Sequence, residues 1–368
     1  MTVSDPVAPT EEKSGSQPAR PGAVSRRSVL AGLGAASVLA VAGTSVRAFG
    51  EAKKLWRIDV HHHISPPAFI AKIVALKTGQ TPLIDWTPQQ SIEDMDAGGV
   101  EMAVLSVSEP GVWFGNNAVA RHLARSCNEY TARLAADYPG RFGSFASVPL
   151  PDTDGSLAEI AYSLDVLHAQ GICLLTSYAG MYLGHPAFDP VLKELNRRGT
   201  TVFVHPVRPS CCRNALRDVP PTIIEMPTDT TRAIANLLVH GTTARFPRIK
   251  FIFSHAGGSL PMLAIRIRDF VLSTRAADAH QPGPISEMRR FHYDTAQAFN
   301  QYALAALTRL VPLSQIVFGT DFPFVTAEMT ERGLRAFGFS AKQLRLIERD
   351  NALAILPTLR AVIRAHQD

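Results

Sequence analysis

The sequence predicts an α/β fold, a single (β/α)₈ TIM barrel preceded by an N-terminal signal segment, and three observations carry that prediction. After Lys53, short apolar runs alternate with longer amphipathic ones. Eight such runs fit into about 310 residues, the length one closed barrel needs. The segment ending the first run is rich in histidine, where a doubly wound sheet would place a glycine-rich phosphate loop.

Residues 1–48 form the expected leader. Residues 1–24 are rich in Pro, Ser, Ala and Glu and lack hydrophobic periodicity, which reads as disorder. Ser25-Arg26-Arg27-Ser28-Val29-Leu30 then leads into the apolar run Ala31–Ala42, and Val46-Arg47-Ala48 closes it. This is the pattern of a twin-arginine signal cleaved after Ala48. The run is too short and too rich in Gly and Ala to span roughly 30 Å of hydrocarbon, which argues against a membrane anchor. A periplasmic or secreted protein follows, or a cytoplasmic one if the signal is unused, with no membrane attachment after signal removal.

The barrel is expected over 53–362. Its strands are Leu55–Val60, Met102–Val107, Arg141–Val148, Ile172–Thr176, Thr201–Val204, Lys250–Ser254, Phe291–Asp294 and Gln315–Phe318. Several are continuous β-branched or aromatic runs, as strands buried on both faces require. Between them, helical spacing marks Asn117–Tyr138, Ser156–Ala169, Asp189–Arg198 and Thr230–Phe246, each stopping close to a Gly or Pro.

Composition narrows the function. With 46% hydrophobic and 19% charged residues the chain reads as globular. The net charge of +5 is spread, with no dense basic run interleaved with aromatics, so no nucleic-acid partner is expected. The four cysteines include no C-x-x-C pair, which argues against a disulfide framework. Cys211-Cys212 lies six residues past His205 and could offer a soft metal ligand, although cysteine-based zinc sites show spaced pairs.

The chemistry gathers at strand ends. In Asp59-Val60-His61-His62-His63, alternation sends His61 and His63 to one face and His62 to the other. The fifth strand ends at His205, the sixth at His255 and the eighth at Asp321. Single histidines after apolar strands are ordinary, but four strands of one barrel closing on such residues at the catalytic face is not. Imidazoles with a carboxylate favour Zn²⁺ and also suit Mn²⁺ or Co²⁺.

The ordered motifs identify a resemblance. D-V-H-H-H at 59–63, P-G-R-F-G at 139–143, F-V-H-P at 203–206 and M-P-T-D-T-T-R-A-I at 226–234 come first. R-F-P-R-I-K at 245–250, S-H-A-G-G-S-L-P at 254–261, R-F-H-Y-D-T-A at 290–296 and G-T-D-F-P-F at 319–324 follow. Together they resemble the amidohydrolase superfamily, in the branch typified by 2-amino-3-carboxymuconate 6-semialdehyde decarboxylase. The resemblance implies one divalent metal, Zn²⁺ first and Mn²⁺ second, on His61, His63, His205 and Asp321. His255 would face the metal's water as a catalytic base, with Asp321 also catalytic. No carboxylated lysine is expected, since strand four ends Leu174-Leu175-Thr176.

That branch is mainly non-oxidative decarboxylases, with some hydratases and hydrolases. The H-P-V-R-P-S-C-C loop resembles salicylate-type sequences (6-methylsalicylate and resorcylate decarboxylases) and puts Arg208 among the substrate-binding candidates. Trp113 and Phe114, after strand two, would wall an aromatic ring. One family arginine, between the first two strands, has no counterpart from Arg57 to Arg121, which disfavours a dicarboxylate. The other matches Arg266 and in the family reaches the partner subunit's site, so a homodimer is expected. The expectation is a lyase releasing carbon dioxide from a small aromatic hydroxy acid. A metal-dependent hydrolase of a lactone, amide or ester is the alternative, and an exported binding protein with an idle site the third reading.

Overall fold

A computed structural model describes residues 54–212, 216–274 and 283–364. The expected signal segment lies outside these residues. Eight parallel strands are hydrogen-bonded in chain order: β1 (Arg57–Ile64), β2 (Val100–Val107), β3 (Phe142–Ser147), β4 (Gly171–Leu175), β5 (Thr201–His205), β6 (Lys250–Phe253), β7 (His292–Asp294) and β8 (Ile316–Val317). The ring closes where Val60 N–H donates to Phe318 O at 3.0 Å and Asp321 N–H to His61 O at 2.8 Å. This is the (β/α)₈ barrel. No described helix is long and apolar enough to cross a membrane.

Inside the barrel, Ile58, Val60, Met102, Phe145, Phe203 and Ile252 form one apolar plug. Leu356, between the two C-terminal helices, and Leu359 and Ile363 on the second of them join it, and Thr201 at the start of β5 donates to Ile355 O at 2.7 Å. The strands' N-terminal end is thereby sealed with hydrocarbon. Polar side chains are left for the opposite, C-terminal end.

Three boundaries differ from expectation for physical reasons. β1 runs through all three histidines instead of ending at Val60. The helix expected from Ser156 starts at Thr153, because the Asp152 side chain caps it by accepting from Gly155 N–H. The helix expected at Thr230–Phe246 is Pro221–Val239, followed by a separate turn at Thr242–Arg245. It begins with a proline at its first position, where no N–H is needed, and tolerates Pro227 inside. Gly241, at φ 61, breaks it before Phe246.

A β-bulge in β1 sets up the site. From Asp59, opposite Ala103, to His62, opposite Leu105, β1 spends three residues where β2 spends two. Strict alternation would put the histidines on the face opposite Ile58 and Val60. The extra residue turns the phase by one, so His61 and His63 share the interior with them.

Candidate metal centre

The bulge brings His61 Nε2 within 3.2 Å of His63 Nε2. Asp321, just past β8, places Oδ1 3.1 Å from the first and 3.0 Å from the second. His205, the last residue of β5, and His255, just past β6, complete the ring of side chains. One donor atom each from His61, His205, His255 and Asp321 lies within 4.8 Å of all the others. All four were singled out in the sequence; His63, expected as a ligand, is not one of this group and meets it through its Nε2 contacts with His61 and Asp321.

Three of the imidazoles are oriented from behind. His61 Nδ1 is 2.7 Å from Asp294 Oδ2, His205 Nδ1 2.8 Å from Pro206 O, and His63 Nδ1 3.3 Å from Ser106 O. With the proton on Nδ1, each ring turns a Nε2 lone pair inward, the arrangement in which histidines ligate metals. Burial and the neighbouring imidazoles hold His205 well below the usual histidine range, and burial lowers His63. Burial works against charge on His61 too, but Asp294 and Asp321 outweigh it and hold that imidazole up at about 10. Burial alone would raise the Asp321 carboxyl, yet His61, His255 and His63 bring it well below the carboxylate range.

These directions describe one thing, a buried pocket of lone pairs that attracts positive charge. Asp321 Oδ1 is buried without a hydrogen bond. Crowded nitrogen donors and an orphaned carboxylate oxygen fit a divalent cation, which would displace the proton from His61. His62 points away from the centre: it is hydrogen-bonded to Asp59 at 3.1 Å and Ser91 at 2.9 Å and stacks on Phe322.

His255 differs from the others. Its backbone is left-handed at φ 55, as is that of Ala256 at φ 56, a costly conformation for residues with a side chain. Asp294 Oδ1 supports the turn by accepting from His255 N–H at 2.8 Å and Ala296 N–H at 3.0 Å. The ring faces a 480 Å³ cavity also lined by His205, Asp321, Gln297, Met226 and Phe324. Its Nε2 lies 3.4 Å from Asp321 Oδ2, and Gln297 Nε2 donates to the same oxygen.

Sequence reasoning missed Asp294, Gln297 and Asp59. Asp294 ends β7 as Asp321 follows β8, and that parallel was its available signal. Asp59 accepts from His61 N–H at 3.0 Å and from Thr320 Oγ1 at 2.6 Å, tying β1 to the chain after β8. Nothing in the sequence marks Gln297. The four substrate-binding candidates fall elsewhere. Trp113, Phe114 and Arg208 line a neighbouring 840 Å³ cavity, and Arg266 is exposed on the helix Leu260–Thr274, outside the lining of either cavity.

Two predictions follow from the supporting atoms. In Asp294→Asn the amide would donate to His61 Nδ1, moving the ring proton to Nε2 where a metal needs a lone pair. Metal affinity should fall about 10–100-fold, measured by titrating the metal-free protein; an unchanged affinity would remove Asp294 from the centre's support. A Cβ added at Gly319 would sit 2.8 Å from His61 Cβ and 2.9 Å from Asp294 Cβ. Gly319→Ala should therefore destabilise the fold by about 1–3 kcal/mol, seen as a lower midpoint in denaturant.

The amidohydrolase family profile matches residues 58–358. A decarboxylase of Aspergillus niger is 36% identical over 323 residues, covering 82% of this chain and 87% of the relative. The 6-methylsalicylic acid decarboxylase of Penicillium expansum is 34% identical over 319 residues, covering 83% and 98%. Among solved structures, a dihydroxybenzoic acid decarboxylase of Polaromonas sp., with bound manganese and the inhibitor 2-nitroresorcinol, superposes with a TM-score of 0.72 at 19% identity. That match covers 82% of this chain and 97% of the other.

Proposed function

This chain belongs to the amidohydrolase family, and on that premise we propose that it is a metal-dependent, non-oxidative decarboxylase of a small aromatic hydroxy acid resembling 6-methylsalicylate. The observation that carries the reading is the cluster of His61, His205, His255 and Asp321 in a chain at least a third identical, over most of its length, to decarboxylases.

His61, His63, His205 and Asp321 would hold one divalent cation. His63 is preferred to His255 because it is fully buried and 3.0 Å from Asp321 Oδ1, whereas His255 opens onto the cavity. When bound, the cation supplies Lewis-acid neutralisation of the substrate's carboxylate and adjacent phenolate. The donor set alone favours Zn²⁺. Manganese in the Polaromonas protein shifts our preference to Mn²⁺, and elemental analysis of purified protein decides between them.

The protein's own part is positioning and proton delivery. Met226 and Phe324 offer apolar walls to a ring, and Gln297 an amide beside Asp321. The His255–Asp321 pair would deliver a proton to the ring carbon bearing the carboxylate. That carbon gains the proton, its bond to the carboxylate breaks, the electron pair restores the aromatic system, and carbon dioxide leaves. No oxidant enters the balance.

The test is a panel of hydroxybenzoates followed for carbon dioxide and phenol without oxygen, with and without Mn²⁺ or Zn²⁺. Metal-dependent release is expected. Only water-addition or hydrolysis products would overturn the reading in favour of the hydrolase.

Two further expectations belong here. The helix Leu260–Thr274 exposes Met262, Ile265, Phe270 and Leu272, each more than half accessible, around Arg266. Such a face suits a homodimer interface, and Phe270→Glu should shift the sedimenting species to the monomer. Export by the twin-arginine route, with cleavage after Ala48, is proposed from the leader motif alone; cell fractionation with N-terminal sequencing tests it.

A further inference from the structure

Trp113, Phe114 and Arg208 do not line the metal cavity, yet they are not scattered. They line a second cavity, of 840 Å³, that shares Gln80 and Glu109 with the first. Phe114 leans on the apolar core, whereas Trp113 is half-buried and stands apart from the residues packed there. Leu175 and Tyr178 add further apolar surface, with Lys77 at the exposed rim.

The shared sill has a definite electrostatic character. Glu109 is buried, and its Oε1 is 3.0 Å from Arg208 Nε and 3.2 Å from Gln80 Nε2. The carboxylate neutralises Arg208, so the arginine is not offered as a free anchor for an anion. A second carboxylate on a substrate would meet Glu109 from either cavity. A neutral apolar group meets Pro110, Trp113, Phe114, Leu175 and Tyr178 beyond it, with Thr78, Ser177 and Ser210 in the polar part of the lining.

Size leaves room for a substrate larger than a bare ring. A benzene ring occupies a cavity of roughly 150 Å³, so one small aromatic acid fills a fraction of the 480 Å³ above the metal ligands. The geometry points to a distal subsite: the second cavity accepts a neutral, apolar substituent of the substrate, an alkyl chain of about five carbons, that crosses the Gln80–Glu109 sill and lies against Trp113. The substrate class is then an o-hydroxybenzoate bearing such a chain, with methyl-substituted acids as its short members. This rests on the decarboxylase reading for the reacting end alone.

The experiment compares 6-methylsalicylate with 6-pentylsalicylate on the metal-loaded protein, wild type and Trp113→Ala. Carbon dioxide release gives kcat/KM, and tryptophan fluorescence gives binding. The pentyl compound should bind about a hundredfold tighter, from four more buried methylenes, and quench emission that disappears in Trp113→Ala. The pentyl-to-methyl ratio of kcat/KM should fall about tenfold in that variant. Equal affinity for the two compounds, or a ratio that survives the substitution, overturns the subsite and leaves decarboxylation intact. Tighter binding and Trp113 quenching with no carbon dioxide from either compound sink the decarboxylase reading and leave the subsite standing. Circular dichroism and metal content show that Trp113→Ala is folded and loaded.

Discussion

Asp321→Asn is expected to lower carbon dioxide release by about 10²–10³-fold and to leave the purified protein without its metal. The carboxylate does two jobs that an amide of the same shape cannot do. Its Oδ1 faces His61 and His63 Nε2 at 3.1 and 3.0 Å, where a cation would sit, and its Oδ2 faces His255. Asparagine keeps the volume but removes the charge, and it turns one contact to the imidazoles into a meeting of donor with donor or lone pair with lone pair. The fold should survive, because the substitution leaves no cavity and the backbone bond from Asp321 N–H to His61 O remains. Elemental analysis after dialysis, a thermal melt and the carbon dioxide assay together check this. A variant that keeps stoichiometric metal and activity within about tenfold of wild type would falsify the assignment of Asp321 as a ligand.

Much of this site was legible because strand periodicity is simple. His61 and His63, two apart, had to share a face, and His62 had to leave it; the contacts of His62 with Asp59 and Ser91 agree. His205, His255 and Asp321 were legible because each closes an apolar run, and in a parallel barrel all such ends converge on one rim. The bulge in β1 was not legible. Alternation says which histidines go together but not which way they go, and that is decided by Ala103 and Leu105 on another strand.

Asp294 and Gln297 were missed for a related reason. Their roles depend on atoms contributed by β1, β6 and β8, and no spacing within one segment encodes such a meeting. Trp113, Phe114 and Arg208 were recognised as residues with a purpose, yet one sequence could not say on which side of Glu109 they would lie. The start of the helix at Pro221 was hidden by Pro227, which usually ends helices. Here the ends of that helix are set at Pro220–Pro221 and Gly241 instead.

His255→Asn carries the second large effect and separates base from ligand. Loss of the ring should cost about 10²–10⁴-fold in kcat, the usual worth of a positioned acid–base group, while metal content stays stoichiometric. Asparagine is the suitable replacement because residue 255 is left-handed at φ 55, and asparagine tolerates that region better than alanine or glutamine does. The Asp294 bond to the 255 N–H, and with it the turn, can then persist. His63→Asn is the companion: on the proposed ligand set, removing this fully buried imidazole should cost the metal itself. The pair of variants matters because His61, His205, His255 and Asp321 bring donors close enough to bind a cation without His63. If His255→Asn loses its metal and His63→Asn keeps it, the two histidines exchange roles, and the proton donor must be sought at His63 with Asp321. If metal follows His63 and turnover follows His255, the partly buried ring that opens onto the cavity is the proton carrier and the fully buried one is its metal's support.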